Sequence, residues 1–295
     1  IDGTQYAASD FGETDSATNQ WKPKDAVDDL TFGTNGFYQK YAGTTLANSF
    51  IDSGNGGRHV VTANGNVHTD TAVKKIGTAS AQFDGTTDYL SIPSTSDFNI
   101  GTGDFTMEGW FYHTTTGVTE NILDLRNGST GFKLDIDTNN YAGFYSEGTT
   151  SYLVNTTAIS SDAWHHVAVQ RRSSYMYIYL DGTLDDSAIH GTDYTSNLPM
   201  IIGARYNAPS GSQEWTGYMD EIRFSNIARY VGSFTAPTEA FTNDLNTMLL
   251  LHMDGANDGT SFPDSATHPI TANGDVANTR AEQKVGDSSI AFDGS

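Results

Sequence analysis

The chain has 295 residues, 37% of them hydrophobic and 12% aromatic, which is enough to bury a sizeable core. Its charged residues are few, at 17%, and divide 15 basic to 36 acidic for a formal net charge of −21; that balance argues against a nucleic-acid partner and an anionic membrane surface, both of which need clustered Lys and Arg. The absence of cysteine excludes disulfides, thiolate metal sites and Cys nucleophiles together, and no apolar run reaches the roughly 18 residues that insert across a membrane.

Residues 1–31 carry no strongly periodic apolar stretch, and 1–33 read as the closing segment and linker of a preceding repeat. An apolar strand at 36–41 and the run Ser49-Phe-Ile-Asp-Ser53 follow, and they find counterparts in 248–253 and Ser261-Phe-Pro-Asp-Ser265. Residues 59–86 then align without a gap with 268–295, identical at 13 of 28 positions, among them His59, Asn64, Gly65, Lys75, Gly77, Phe83, Asp84 and Gly85. The offset of 209 residues exceeds the periods of solenoids and propeller blades, which run about 20–50 residues. It reads as a whole domain recurring. The second copy stops where the first runs on into a strand at 88–92, so the chain reads as a window on a longer tandem array. Its pieces are a closing segment at 1–33, one complete domain at 34–243, and the opening strands of a following repeat at 244–295.

Within the complete unit, 105–112, 132–136, 164–171, 175–180 and 218–224 alternate apolar with polar or aromatic positions, and turn pairs such as Asn127-Gly128 and Asp181-Gly182 separate such segments. The helical signal is limited to one turn at 226–230. Many short strands with Gly-rich turns specify an all-β antiparallel sandwich. Trp110 and Trp164 are expected in the core. Asp220 and Glu221 point to opposite faces of their strand; Arg223 is expected to neutralise Glu221, leaving Asp220 without a local partner. His165 and His166 also alternate, one packed and one solvated, so the two cannot chelate one metal. Asp135 and Asp137 share a face at a hairpin end and are expected to be solvated.

Catalysis finds no support: the paired-carboxylate strand spacing of β-glucanases and the G-x-S-x-G elbow are both missing. Ligand recognition is better supplied. The candidate glycan loop carries Arg205, Tyr206, Asn207, Gln213, Glu214 and Trp215, aromatic planes mixed with groups that bond hydroxyls. A second supply is Asn139, Asn140, Tyr141, Tyr145 and Glu147. The alternative is that Trp215 opens the next strand and packs on the core edge.

Six motifs, at 83–93, 105–111, 164–169, 177–182, 201–203 and 217–225, occur in the order found in concanavalin A-like, laminin G-like domains, and the complete unit resembles that family throughout. The resemblance implies an antiparallel β-sandwich jelly roll. The segment 226–230 followed by Phe234-Thr-Ala-Pro237 resembles the copies found in tandem in tail, fibre and other virion proteins of bacteriophages. A structural calcium (Ca2+) is implied by the family near Asp84, Asp88, Asp220 and Glu221; otherwise Asp84 caps the Gly85 turn and Asp220 binds backbone amides. The implied function is a non-catalytic, homo-oligomeric adhesion protein at the virion surface or otherwise extracellular, whose repeated domains bind host-surface carbohydrate weakly and multivalently. The alternatives are a spacer or decoration protein that packs on neighbouring virion proteins, and a secreted bacterial adhesin or polysaccharide-active enzyme module.

Overall fold

Strands form where apolar side chains alternate and end where Gly, Asn or Asp takes a positive φ, as at the Asp181-Gly182 turn, with φ of 50° and 80°. A computed structural model describes residues 5–16, 18–24, 30, 59, 61–147, 153–195, 198–207, 213–266, 277–279 and 289–291. The expected strand at 36–41 and the run at 49–53 lie outside the described residues. The chain divides into two compact units, His59–Ala266 and a smaller one made of Ile1–Arg58 with Thr267–Ser295.

The smaller unit begins with a short helix, α1 (Ala8–Phe11), and a hairpin of β1 (Gly12–Thr14) and β2 (Trp21–Pro23). In the larger unit the strands are β3 (Thr62–Asn64), β4 (His68–Asp70), β5 (Ser80–Asp84), β6 (Tyr89–Ile92), β7 (Phe105–His113), β8 (Glu120–Arg126), β9 (Gly131–Ile136), β10 (Ala142–Ser146), β11 (Leu153–Val154), β12 (His165–Arg172), β13 (Tyr175–Leu180), β14 (Thr183–Ile189), β15 (Met200–Ile202), β16 (Thr216–Ser225) and β17 (Thr247–Leu251). They build a seven-stranded sheet in the order β11-β10-β9-β8-β15-β6-β3 and an eight-stranded sheet in the order β14-β13-β12-β7-β16-β5-β4, with β17 on β16. Neighbouring strands pair antiparallel throughout, as the all-β sandwich reading requires. Phe105, Phe132, Phe144, Phe224 and Met219 are buried in the core, where the Phe105 and Phe132 rings lie 5.7 Å apart and those of Phe132 and Phe144 5.3 Å apart.

The strand at 247–251, read from the sequence as part of the following repeat, pairs with β16 through Ile222↔Leu251, Arg223↔Leu250 and Phe224↔Leu249. Beyond it, Asp264 Oδ2 lies 2.8 Å from His59 Nδ1 while Asp97 Oδ2 lies 3.0 Å from His59 Nε2, which ties the two ends of the unit together. In the smaller unit β18 (Ala277–Thr279) pairs with β19 (Ser289–Ala291). Its pairs Ala277↔Ala291, Asn278↔Ile290 and Thr279↔Ser289 repeat, 209 residues on, the β4–β5 pairs His68↔Gln82, Thr69↔Ala81 and Asp70↔Ser80.

A bulge in β16 between Asp220 and Arg223 changes the expected pairing there. Glu221 sits in it with φ of +50°, so strict alternation fails. Arg223 donates instead to Glu108 Oε1, at 2.9 Å from Nε and 2.6 Å from Nη2. Glu221 accepts from the Phe241 amide at 2.8 Å and pairs with His252 Nδ1 at 2.7 Å. The segment between β16 and β17 crosses the outside of the eight-stranded sheet without forming the helical turn expected at 226–230. Tyr230 and Phe234 stack at 3.5 Å, and Phe234 meets His166 edge-on at 5.7 Å. Trp110 is buried beneath this segment's sheet face beside His166. Trp164, expected in the core, is only half-buried and lies edge-on to Tyr112 at 5.5 Å.

Candidate functional site

Phe132, Leu134 and Ile136 of β9 point into the core, so Lys133 and Asp135 point to the other face of the seven-stranded sheet. The ladder registers decide what stands beside them. Lys133 pairs across to Asp124 on β8 and Tyr145 on β10, while Asp135 pairs across to Asn121 and Gly143. Cross-strand partners share a face, so one surface collects Tyr145, Lys133, Asp124, Asp135 and Asn121.

Gly143 shapes that surface. A Cβ at this position would stand 2.5 Å from the Tyr145 ring, so only glycine leaves room for the ring against the sheet. Lys133 Nζ lies 4.8 Å from the centre of the same ring and also bonds to Asp135 Oδ2. Asp135 is 1% exposed, and burial pushes its carboxyl up to about 6 against the pull of Lys133. Its Oδ1 is buried without a donor, and so is Asn121 Oδ1. The Asn121 side-chain amide donates to the carbonyl of Gln213 at 3.1 Å and to its Oε1 at 3.2 Å, which anchors the returning loop on this face.

Next along β8, Arg126 is gripped by Asp124, with Nε 2.9 Å from Oδ1 and Nη2 2.6 Å from Oδ2, and its Nη1 reaches Glu147 at 3.3 Å. The Tyr206 ring lies near two guanidinium groups, 5.4 Å from that of Arg126 and 5.8 Å from that of Arg205. Gly128, with φ of +87°, gives Tyr206 its seat, since a Cβ there would stand 2.8 Å from the tyrosine hydroxyl.

Of the expected glycan loop, Arg205, Tyr206 and Gln213 therefore reach this face, and Tyr145 and Glu147 of the second supply join them. Asn207 is exposed, and Asn139 lies in a turn capped by Asp137 Oδ1, which accepts from the amides of Asn139 at 2.8 Å and Tyr141 at 2.9 Å. Glu214 and Trp215 are buried. Trp215 is fully covered, its ring 6.0 Å from Phe111 and 6.2 Å from His113, because it enters β16 on the core side of the strand. It has no surface to offer a ligand. Asp135, expected at a solvated hairpin end, is instead held beneath Lys133. The sequence reading missed Lys133, Asp124, Arg126 and Asn121, although the alternation of β9 already placed Lys133 and Asp135 on one face.

The four carboxylates expected around one calcium are not brought together. Asp84 Oδ1 accepts from the amides of Thr86 at 2.8 Å and Thr87 at 3.2 Å; against the effect of burial, these bonds hold its carboxyl below the usual range. Asp88 accepts from the amides of Asn66 at 2.5 Å and Asp84 at 3.0 Å. Asp84 pairs across to Thr216, and Asp220 stands four residues further along β16, about 13 Å away at the rise of a strand. There its Oδ2 accepts from the amides of Lys75 and Ile76 at 2.9 Å each, and burial pushes its carboxyl up to about 7. Among the described residues no three His, Asp or Glu side chains are placed to hold a metal ion. The set does not fit a shared calcium: its oxygens, Asp220 Oδ1 excepted, are engaged by donors.

The family described as the concanavalin A-like lectin/glucanases superfamily matches over residues 84–231. Among solved structures, a Bacteroides ovatus protein described as carbohydrate-binding aligns at a TM-score of 0.50 and 17% identity, over 70% of this chain and 56% of that one. The binding domain of botulinum neurotoxin serotype D aligns at 0.47 and 13% identity, over 62% of this chain and 45% of that one. Domain 4 of the extracellular arabinanase AbnA of Geobacillus stearothermophilus, in complex with arabinotriose, aligns at 0.45 and 19% identity, over 65% of this chain and 92% of that one. This chain thus spans about half the length of the first two. No curated protein matches.

Proposed function

The chain belongs to the concanavalin A-like lectin/glucanases superfamily, and from that membership we propose that it is a non-catalytic carbohydrate-binding protein whose site is the outward face of the seven-stranded sheet. The observation that carries this reading is the Tyr145 ring laid against the sheet at Gly143, with the Lys133 ammonium over the ring at 4.8 Å from its centre. A sugar offers an apolar ring face and a rim of hydroxyls. An aromatic plane framed by fixed charged and amide groups complements both. Here the frame is Lys133, Arg126, Glu147 and Gln213, with Tyr206 as a second plane. The Bacteroides ovatus protein of the same fold is itself described as carbohydrate-binding.

A binding role fits the carboxylates better than hydrolysis does. Glycoside cleavage needs one carboxyl group to donate a proton and another to act as base or nucleophile. On this face Asp124 and Glu147 are committed to Arg126, and Asp135 to Lys133. A site of this kind binds weakly, and we infer that avidity supplies the strength, through several copies of the domain engaging one surface. With the resemblance of 226–237 to tandem phage copies, this favours a homo-oligomeric adhesion protein of a virion surface, directed at glycans of a host cell.

A glycan array probed with the whole chain, alongside Tyr145→Ala and Tyr206→Ala, tests the reading. Binding that Tyr145→Ala removes, with circular dichroism unchanged, supports it. A folded wild-type protein that binds no glycan would sink it and leave a spacer or decoration role.

A further inference from the structure

Basic groups are scarce in this chain, and most of those described are matched to acceptors. Arg126 is held by Asp124 and Glu147, Lys133 by Asp135, Arg223 by Glu108 and Arg229 by Asp244. Arg171 donates to the carbonyls of Gly101, Gly103 and Thr192. Arg205 departs from this pattern. Among the described residues it has no carboxylate or carbonyl partner, and its Nε is buried without an acceptor. It lies beside Tyr206, as does Arg126, whose charge is already matched by two acids. The Nη1 and Nη2 of Arg205 have no acceptor among the described residues either and, unlike Nε, are not enclosed, so these donors are left for a ligand's oxygens to meet.

We propose that the glycan held on this face is acidic, with its carboxylate or sulfate ester seated on Arg205. The inference rests on the carbohydrate-binding reading and refines it. The planar guanidinium presents parallel donors that match two oxygens of such a group at once, which an ammonium does not. Tyr206 then stacks on the sugar that carries the acid, and the Tyr145 end of the face holds neighbouring, uncharged parts. The chain's net charge of −21 repels acidic polymers at long range, but this field is screened beyond about 8 Å at physiological salt. Recognition of the acid therefore falls to the short-range contact at Arg205.

The test pairs polymers of one backbone that differ in charge: polygalacturonate against its fully methyl-esterified form for the carboxylate, and carrageenan against its desulfated form for the sulfate. Affinity electrophoresis would compare the whole chain with Arg205→Gln, Arg205→Lys and Tyr145→Ala, each checked for an unchanged melting temperature. The wild type should bind one acidic form about tenfold or more tighter than its neutral counterpart. Arg205→Gln should weaken the acidic form far more than the neutral one and so erase that preference, Arg205→Lys should restore part of it, and Tyr145→Ala should weaken both forms to a similar degree. Equal affinity for charged and neutral forms, or a preference that survives Arg205→Gln, overturns the inference and leaves the carbohydrate reading standing. Binding to none of the four polymers overturns it together with that reading for these glycan classes.

Discussion

Asp135 stands directly across the β8–β9 ladder from Asn121, and each keeps a buried side-chain oxygen without a donor. Two unfilled acceptors side by side in this enclosed setting are a standing cost to the fold. The same burial sets the ionisation of Asp135. Its carboxyl is raised to about 6 from 3.8, chiefly by desolvation, so between about pH 4 and 6 the native state holds a proton that the unfolded chain has released. Stability therefore falls as pH rises through that window. A carboxyl-carbon NMR titration should place Asp135 near 6 and Asp84 below the usual carboxylate range; Asp135 titrating near 4 would contradict the burial argument.

Three histidines act in the same direction above that window, whereas His190, lowered to about 4 chiefly by burial, gives stability that increases as pH rises from about 4 to 6.5. Burial lowers the basicity of His59, but Asp264 and Asp97 outweigh it and its pKa is raised above 6.5. Glu221 likewise raises His252, and Glu120 raises His113 against burial. Each contributes stability that is fully present below the unfolded value and lost as pH rises through the folded one. The melting temperature should accordingly decline from pH 6 to pH 9, and His59→Asn should flatten part of that slope. A profile that rises over this range contradicts these pairings.

Trp215 and Tyr206 were proposed from the sequence as equals, and the structure separates them. Removing the fully buried Trp215 side chain should cost about 3–5 kcal/mol, whereas Tyr206→Ala on the rim should cost under about 1 kcal/mol. Urea denaturation of the two variants reads this difference. Similar losses from both would mean that Tyr206 is part of the structural core.

Chelation should leave the protein unchanged. Asp84 and Asp88 accept from the amides of Asn66, Asp84, Thr86 and Thr87, and these bonds are expected to hold the turn by themselves. Thermal melts with and without EDTA should coincide, and a drop of several degrees on chelation would show a bound ion.

Much of the sandwich was legible because its code is local. The alternation of Phe132-Lys-Leu-Asp-Ile136 and the turn at Asp181-Gly182 declare strand and hairpin from a few neighbouring residues. The bulge at Glu221 was not, since one residue at positive φ is decided by packing against Phe241 and His252, both distant in sequence. It reversed the expected partner of Arg223. The site was half legible: Tyr206, Tyr145 and Glu147 stood out as aromatics and acids in loop-like, polar surroundings. Their meeting with Lys133, Asp124 and Arg126 depends on ladder register, which no single strand encodes. Trp215 left two readings open, because a tryptophan at a loop's end reads the same whether it turns to solvent or to the core; the structure takes the second, in which it packs on the core.

The most direct test of the account is where a glycan touches the chain. With a ligand found on the array, an amide chemical-shift titration of the labelled protein should perturb residues of β8, β9 and β10 together with 203–207. Shifts confined to the Asp84–Asp88 turn, to the β16 bulge or to β12–β14, with β8–β10 silent, would contradict the assignment of the binding face to the seven-stranded sheet.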